Sequence, residues 1–77
     1  MARYEDRFPD NAPGNLYVDG QCIDCDLCRD RLPEIFHRNE RDAHSYVSHQ
    51  PDSAEEWESC RQAIDDCPVE AIGRNEF

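Results

Sequence analysis

Residues 22–28 read Cys22-Ile23-Asp24-Cys25-Asp26-Leu27-Cys28, three cysteines spaced three apart. A further cysteine, Cys67, lies far downstream and is followed at once by Pro68. A C-x2-C-x2-C run completed by a remote C-P is a ligand set for a 4Fe–4S cluster. The triplet's short backbone can turn around one cluster, aiming three sulfurs inward and leaving amide N–H groups free to bond the cluster sulfurs. Asp24 and Asp26 alternate with the ligands, so their carboxylates are expected to point to water while their amides face the metal. Ile23 and Leu27, the loop's apolar members, are expected to shield the site from solvent. The fourth ligand closes the cage from another part of the chain, which makes cluster binding and folding one event.

Working outward, Leu16-Tyr17-Val18-Asp19 carries β-formers and ends at Gly20, the signature of a short strand feeding the loop. After the loop, Arg29 to Leu32 allow one helical turn before Pro33 restricts Leu32. Ile35-Phe36 begins a second strand, Asn39-Glu40-Arg41-Asp42 is a polar turn, and Ala43 to Ser48 is the return strand of a hairpin. Ser53-Ala54-Glu55-Glu56 reads as a capping box, with an acidic first turn suited to the positive end of the helix dipole. It predicts a helix over Ala54–Asp66 with Trp57, Cys60 and Ile64 on one inward face, joined by Ala63. This helix delivers Cys67, and Pro68 stops it. Val69 to Arg74 is a last strand, expected to pair with Leu16–Asp19.

With the cysteine triplet, the Cys67-Pro68-Val69-Glu70-Ala71-Ile72 ending, the Leu32-Pro33-Glu34-Ile35-Phe36 step and the acidic helical run before Cys67, the chain resembles the small bacterial single-cluster ferredoxins from Leu16 to about Arg74. Cys22, Cys25, Cys28 and Cys67 match that family's ligands position by position. No second cysteine run is present, which places the likeness with the one-cluster branch. The resemblance implies an α+β, ferredoxin-type (βαβ)2 pseudo-symmetric fold with short strands, one cluster site, and the Ser53–Asp66 helix replacing the second site. It also implies a one-electron carrier rather than an enzyme, working at low potential between a reductase and an acceptor oxidoreductase. Some relatives replace the middle cysteine of the triplet and hold a 3Fe–4S cluster. Cys25 stands there in this chain, which favours 4Fe–4S, with 3Fe–4S as the product if Cys25 is lost as a ligand.

Seventy-seven residues allow one domain, and only 38% of them are apolar, so the core is small and the cluster is expected to act as its staple. The apo chain is accordingly expected to be largely unfolded. Residues 1–15, polar and carrying Pro9, Pro13 and Gly14, read as an N-terminal extension to a single domain over 16–77. Tyr4 and Phe8 can pin this arm to the body; without them it is a mobile tail. The net charge of −10 excludes nucleic acid as a partner, whose phosphates would repel the chain, and fits redox partners with basic docking surfaces found by electrostatic steering. Glu55, Glu56, Glu58, Asp65, Asp66 and Glu70 are either that docking patch or an ordinary solvated helix face. No apolar stretch is long enough to span a membrane, and the N-terminus lacks a signal-peptide core. A cytoplasmic monomer is expected, in a compartment where thiols stay reduced.

The odd fifth cysteine, Cys60, falls within the Trp57–Ile64 stripe and reads as a small buried hydrophobe; as a redox thiol it would have no unassigned partner. His37, His44 and His49 fit no metal-ligand spacing and read as exposed hairpin residues. Two rival functions use the same cysteines. One is a structural zinc module for protein interaction, which would need Cys60 and Cys67 as a second knuckle although they lie seven apart. The other is an iron–sulfur redox sensor.

Overall fold

The computed structural model describes residues 2–75, so the final two residues of the expected domain, Glu76 and Phe77, lie outside the described residues. The β-formers Leu16–Val18 make strand β1, which pairs antiparallel with β4, Ile72–Arg74, in the register Leu16↔Arg74 and Val18↔Ile72. Between them come helix α1 (Leu27–Arg31), a hairpin of β2 (Phe36–Asn39) and β3 (His44–Val47), and helix α2 (Ala54–Asp66). The order β1-α1-β2-β3-α2-β4 is two βαβ halves. The halves are unequal: α1 has five residues and α2 has 13.

Local chemistry sets the boundaries. At the start of α2, Ser53 Oγ accepts the Glu56 N–H at 3.1 Å and Glu56 Oε1 accepts the Asp52 N–H at 3.0 Å, the reciprocal bonds of a capping box. Its C-terminal Asp66 opposes the helix dipole but pairs with Arg31 of α1 at 2.6 Å. α1 begins at Leu27, two residues earlier than expected, because Asp26 adopts a left-handed φ of 72° that turns the chain directly into the helix. β4 begins at Ile72 rather than Val69. Cys67 to Glu70 instead form a turn closed by Glu70 N–H to Cys67 O at 3.2 Å, with Glu70 at φ 53°.

The core gathers Leu16, Val18, Ile35, Phe36, Val47 and Ile72 around the buried Cys60 and Ala63 of α2, while Trp57 and Ile64 flank it half-buried. The Arg74 guanidinium caps the Trp57 ring at 4.2 Å.

β1 lies beside β3 without a ladder between them, because two side-chain amides occupy the space. Asn11 donates through Nδ2 to Phe8 O at 2.8 Å and Val18 O at 2.9 Å, and accepts through Oδ1 from Val18 N at 3.3 Å and Val47 N at 2.9 Å. Gln50 accepts from Leu16 N at 3.0 Å and donates to Leu16 O at 2.8 Å and Ala12 O at 2.9 Å. The outer edge of β1 is thus satisfied by side chains, as buried backbone groups require. Gly14, at φ 151°, leaves the room that Gln50 fills; a Cβ there would lie 2.4 Å from the Gln50 side chain.

The arm packs against the body. Phe8 stacks on His44 at 3.5 Å between ring centroids, and Tyr4 meets Tyr17 edge-on at 5.4 Å. Its backbone joins β1 through Phe8 N–H to Val18 O and reaches β3 through Ala12 N–H to Val47 O. This corrects the reading of His44 as an exposed hairpin residue: it is 5% exposed, and its Nδ1 lies 2.9 Å from Ser45 O. The arm covers it, and no local pattern in β3 records the arm. His37 and His49 are exposed as expected.

Candidate metal centre

The cysteine loop, α1 and the turn after α2 enclose a cavity of about 280 Å³ lined by Cys22, Cys25, Cys28 and Cys67. Cys28 is buried at the base of α1, Cys22 and Cys67 are half-buried, and Cys25 is exposed. Apolar groups from Val18, Ala63, Ala71 and Ile72 form much of the remaining wall. Ile23 and Leu27 also line it, yet they stay 60% and 49% exposed. They wall the mouth rather than close it, because nothing packs outside so short a loop.

Backbone donors already aim at the sulfurs. Cys22 Sγ accepts the Asp24 and Ser45 N–H groups, each at 3.4 Å, and Cys67 Sγ accepts the Ala71 N–H at 3.3 Å. The loop reaches this arrangement through left-handed residues at Asp24, φ 60°, and Asp26, φ 72°. Aspartate tolerates that region better than most residues, and alternating handedness turns successive amides to one side.

The Asp24 carboxylate departs from expectation. It does not point to water but is gripped by Arg38, through Nε at 3.0 Å and Nη2 at 2.8 Å, and by Arg29 Nη1 at 2.9 Å. The Arg38 and then the Arg29 hydrogen bonds hold its pKa down at about 2. Asp26 stays mostly exposed and pairs with Arg29. Arg38 comes from the hairpin and Arg29 from α1, so two elements clamp the cysteine loop in place. Sequence offers no local signal for this clamp, since fourteen positions separate Asp24 from Arg38.

The donor set fits an iron–sulfur cluster. Burial pushes the Cys28 thiol up; the Ser45 hydrogen bond opposes that, and negative charge on Cys22, Cys25 and Cys67 adds to it. Four thiolates converging on an apolar cavity repel one another unless a cationic metal core sits among them. Cys60 takes no part. It is fully buried, lies outside the cavity lining, and burial followed by the nearby Glu56 pushes its thiol up to about 11. The second zinc knuckle that would need Cys60 beside Cys67 is therefore not built. Cys60→Ala is expected to load the same iron per chain as the parent and to lose only about 1–2 kcal/mol of stability. Iron analysis and denaturant titration check this.

The model of the family described as the 4Fe–4S single cluster domain of ferredoxin I matches residues 18–74. The chain belongs to this family. It is similar in structure to wild-type Hydrogenobacter thermophilus ferredoxin 1, with 27% identity, a TM-score of 0.68, and coverage of 82% of this chain and 97% of that one. Ferredoxin I from Desulfovibrio africanus gives 28% identity, a TM-score of 0.69, and coverage of 84% and 100%. This family member is an iron–sulfur electron carrier with one 4Fe–4S cluster, not an enzyme, and its fold is the expected α+β one. Among the described residues no helix is long and apolar enough to cross a membrane.

One residue at the site went unread in the sequence. Ser45 lines the cavity, 1% exposed, touching the sulfurs of both Cys22 and Cys28. Its only trace in the sequence is membership of a return strand.

Proposed function

We propose that Cys22, Cys25, Cys28 and Cys67 hold the single cluster, and that the chain shuttles one electron at low potential from a reductase to an acceptor oxidoreductase. The observation that carries this reading is the convergence of these sulfurs on one cavity, with backbone amides already donating to two of them. When bound, the cluster supplies a one-electron couple. The protein's part is to hold it near the surface. Cys25 and the exposed faces of Ile23 and Leu27 mark the side on which a partner can approach within electron-transfer distance.

The charge supports a low potential. Four thiolates and a core of about +2 take the oxidised protein from −10 to roughly −12, and adding an electron to such an anion is disfavoured. Amide hydrogen bonds to sulfur offset part of that. The same charge supports partners with basic docking surfaces. Glu55, Glu58, Asp65, Asp66 and Glu70 are exposed around α2 and the Cys67 turn, where such a surface would meet them. We take the chain to act as a cytoplasmic monomer, its domain spanning 16–77 with residues 1–15 as an extension. Five free cysteines suit a reducing compartment.

The test is stopped-flow electron transfer from the anaerobically reduced protein to a basic haem-protein acceptor. One reducing equivalent per chain is expected, with a rate that falls at least severalfold between about 0.01 and 0.5 M salt as the Debye length shrinks. No transfer would reject the carrier reading. A rate indifferent to salt would reject electrostatic docking.

A further inference from the structure

β3 brings one residue against two of the four sulfurs. The Ser45 N–H donates to Cys22 Sγ at 3.4 Å, and the Ser45 hydroxyl lies 3.4 Å from Cys28 Sγ. Ser45 is 1% exposed, so bulk water does not compete for its hydroxyl. A third residue fixes which way the hydroxyl points. Arg29 Nη1 donates to Ser45 Oγ at 2.6 Å. A guanidinium has donors only, so Ser45 Oγ is the acceptor in that bond and its own proton must leave in another direction. Cys28 Sγ is the partner within reach. A free Cys28 thiol could donate back to Oγ; a metal-bound thiolate has no proton and can only accept.

We propose that Ser45 donates a hydrogen bond to the ligand sulfur of Cys28, is held in the donating orientation by Arg29, and thereby raises the cluster's reduction potential. The proposal rests on the assignment of Cys22 and Cys28 as ligands. Reduction adds negative charge to the cluster and its sulfurs. A hydrogen bond strengthens as its acceptor becomes more negative, so the donor stabilises the reduced state more than the oxidised one. Arg29 is a positioning residue that acts through Ser45. Its side chain is 12% exposed and anchored by Asp24 at 2.9 Å and by Asp26, the two carboxylates that flank Cys25. Those carboxylates offset its charge at the cluster, leaving orientation of the hydroxyl as its contribution. The Arg29 clamp therefore shapes the loop and aims a donor at a sulfur held by that same loop.

The experiment is an anaerobic spectroelectrochemical titration of cluster-loaded Ser45→Ala and Ser45→Thr, with iron and sulfide measured on the same samples. Ser45→Ala keeps the strand and the N–H bond to Cys22 but loses the hydroxyl. At a fixed applied potential its reduced-to-oxidised ratio is expected to fall about threefold to tenfold, tenfold being a midpoint lower by about 59 mV for one electron. Ser45→Thr restores the hydroxyl and is expected to stay within about twofold of the parent, since the donor is retained. An unchanged midpoint in Ser45→Ala, or equal falls in both variants, would overturn the proposal. Should Ser45→Ala fail to retain the cluster, Ser45→Cys is titrated in its place. Its thiol is a weaker donor, so a midpoint below the parent's is expected and the parent's midpoint would overturn the proposal. The metal analysis keeps the two assignments apart: loss of four-iron stoichiometry in the parent would count against the ligand set, and an unmoved potential against Ser45.

Discussion

Replacing Cys67 by alanine is expected to give a chain that retains no 4Fe–4S cluster and does not fold cooperatively. Cys67 is the one proposed ligand outside the loop, and it sits at the C-cap of α2, its N–H bonded to Ala63 O. Without it the cluster no longer ties α2 and β4 to the loop. The remaining core is small, drawn from a chain with 38% apolar residues. A structural zinc ion contributes roughly 10–16 kcal/mol in a zinc-finger peptide, comparable with the whole stability of a typical domain at about 5–15 kcal/mol, and a cluster tying three elements together is expected to matter on the same scale. Iron content near zero and a circular dichroism spectrum without a sharp unfolding transition are the expected readings. Cys25→Ala is expected to behave differently. Cys25 is exposed on the loop, and the three other sulfurs remain on the cavity wall. That variant is expected to hold a three-iron cluster and to keep its fold. If Cys67→Ala binds four irons and folds like the parent, Cys67 is not a ligand.

The second large effect is expected at Asn11, far from the metal. Asn11→Ala removes four hydrogen bonds and leaves the N–H groups of Val18 and Val47 without their partner between β1 and β3, while the carbonyls of Phe8 and Val18 keep backbone bonds from the Asn11 and Phe8 N–H groups. Water can reach only part of this seam, because Val18 and Val47 are both fully buried. Each unsatisfied buried group costs about 1–3 kcal/mol, so a total loss of about 3–5 kcal/mol is expected once partial hydration is allowed for. In guanidinium unfolding of the cluster-loaded protein this appears as a lower midpoint at unchanged slope. Asn11→Asp keeps an acceptor for both N–H groups but sets its second carboxylate oxygen against the two carbonyls, so a smaller loss is expected there. A loss under about 1 kcal/mol would mean that the arm is not part of the folded unit.

The contrast between these two predictions follows what the sequence made legible. Cysteine spacing, the capping box at Ser53 and the Pro68 stop are local signals, and each led to the right element: the loop, α2 and the turn that presents Cys67. Pairing of β1 with β4 was also expected, as the joining of the two ends of the core. What stayed hidden depends on registers between distant segments. Asn11 reads as one more polar residue in an arm until Val18 and Val47 are placed on either side of it. Ser45 reads as a neutral strand residue until β3 is laid against the cysteine loop. Asp24 looks solvated until Arg29 and Arg38 arrive from two other elements, and His44 looks exposed until Phe8 covers it. The signals for the metal centre are short and local, the cysteine triplet and the Cys67-Pro68 pair. The scaffold that orients it is written in pairs of residues whose meeting no local pattern records.

On the reading proposed above, four cysteines of this chain hold one redox-active 4Fe–4S cluster. Anaerobic electron paramagnetic resonance of the protein as isolated and after dithionite reduction tests it most directly. The expected result is silence in the oxidised state and a fast-relaxing rhombic signal near g of about 1.9 on reduction. A signal near g of about 2.01 in the oxidised protein would instead indicate a three-iron cluster without Cys25 as a ligand. Silence in both states, with zinc in place of iron on elemental analysis, would contradict the account.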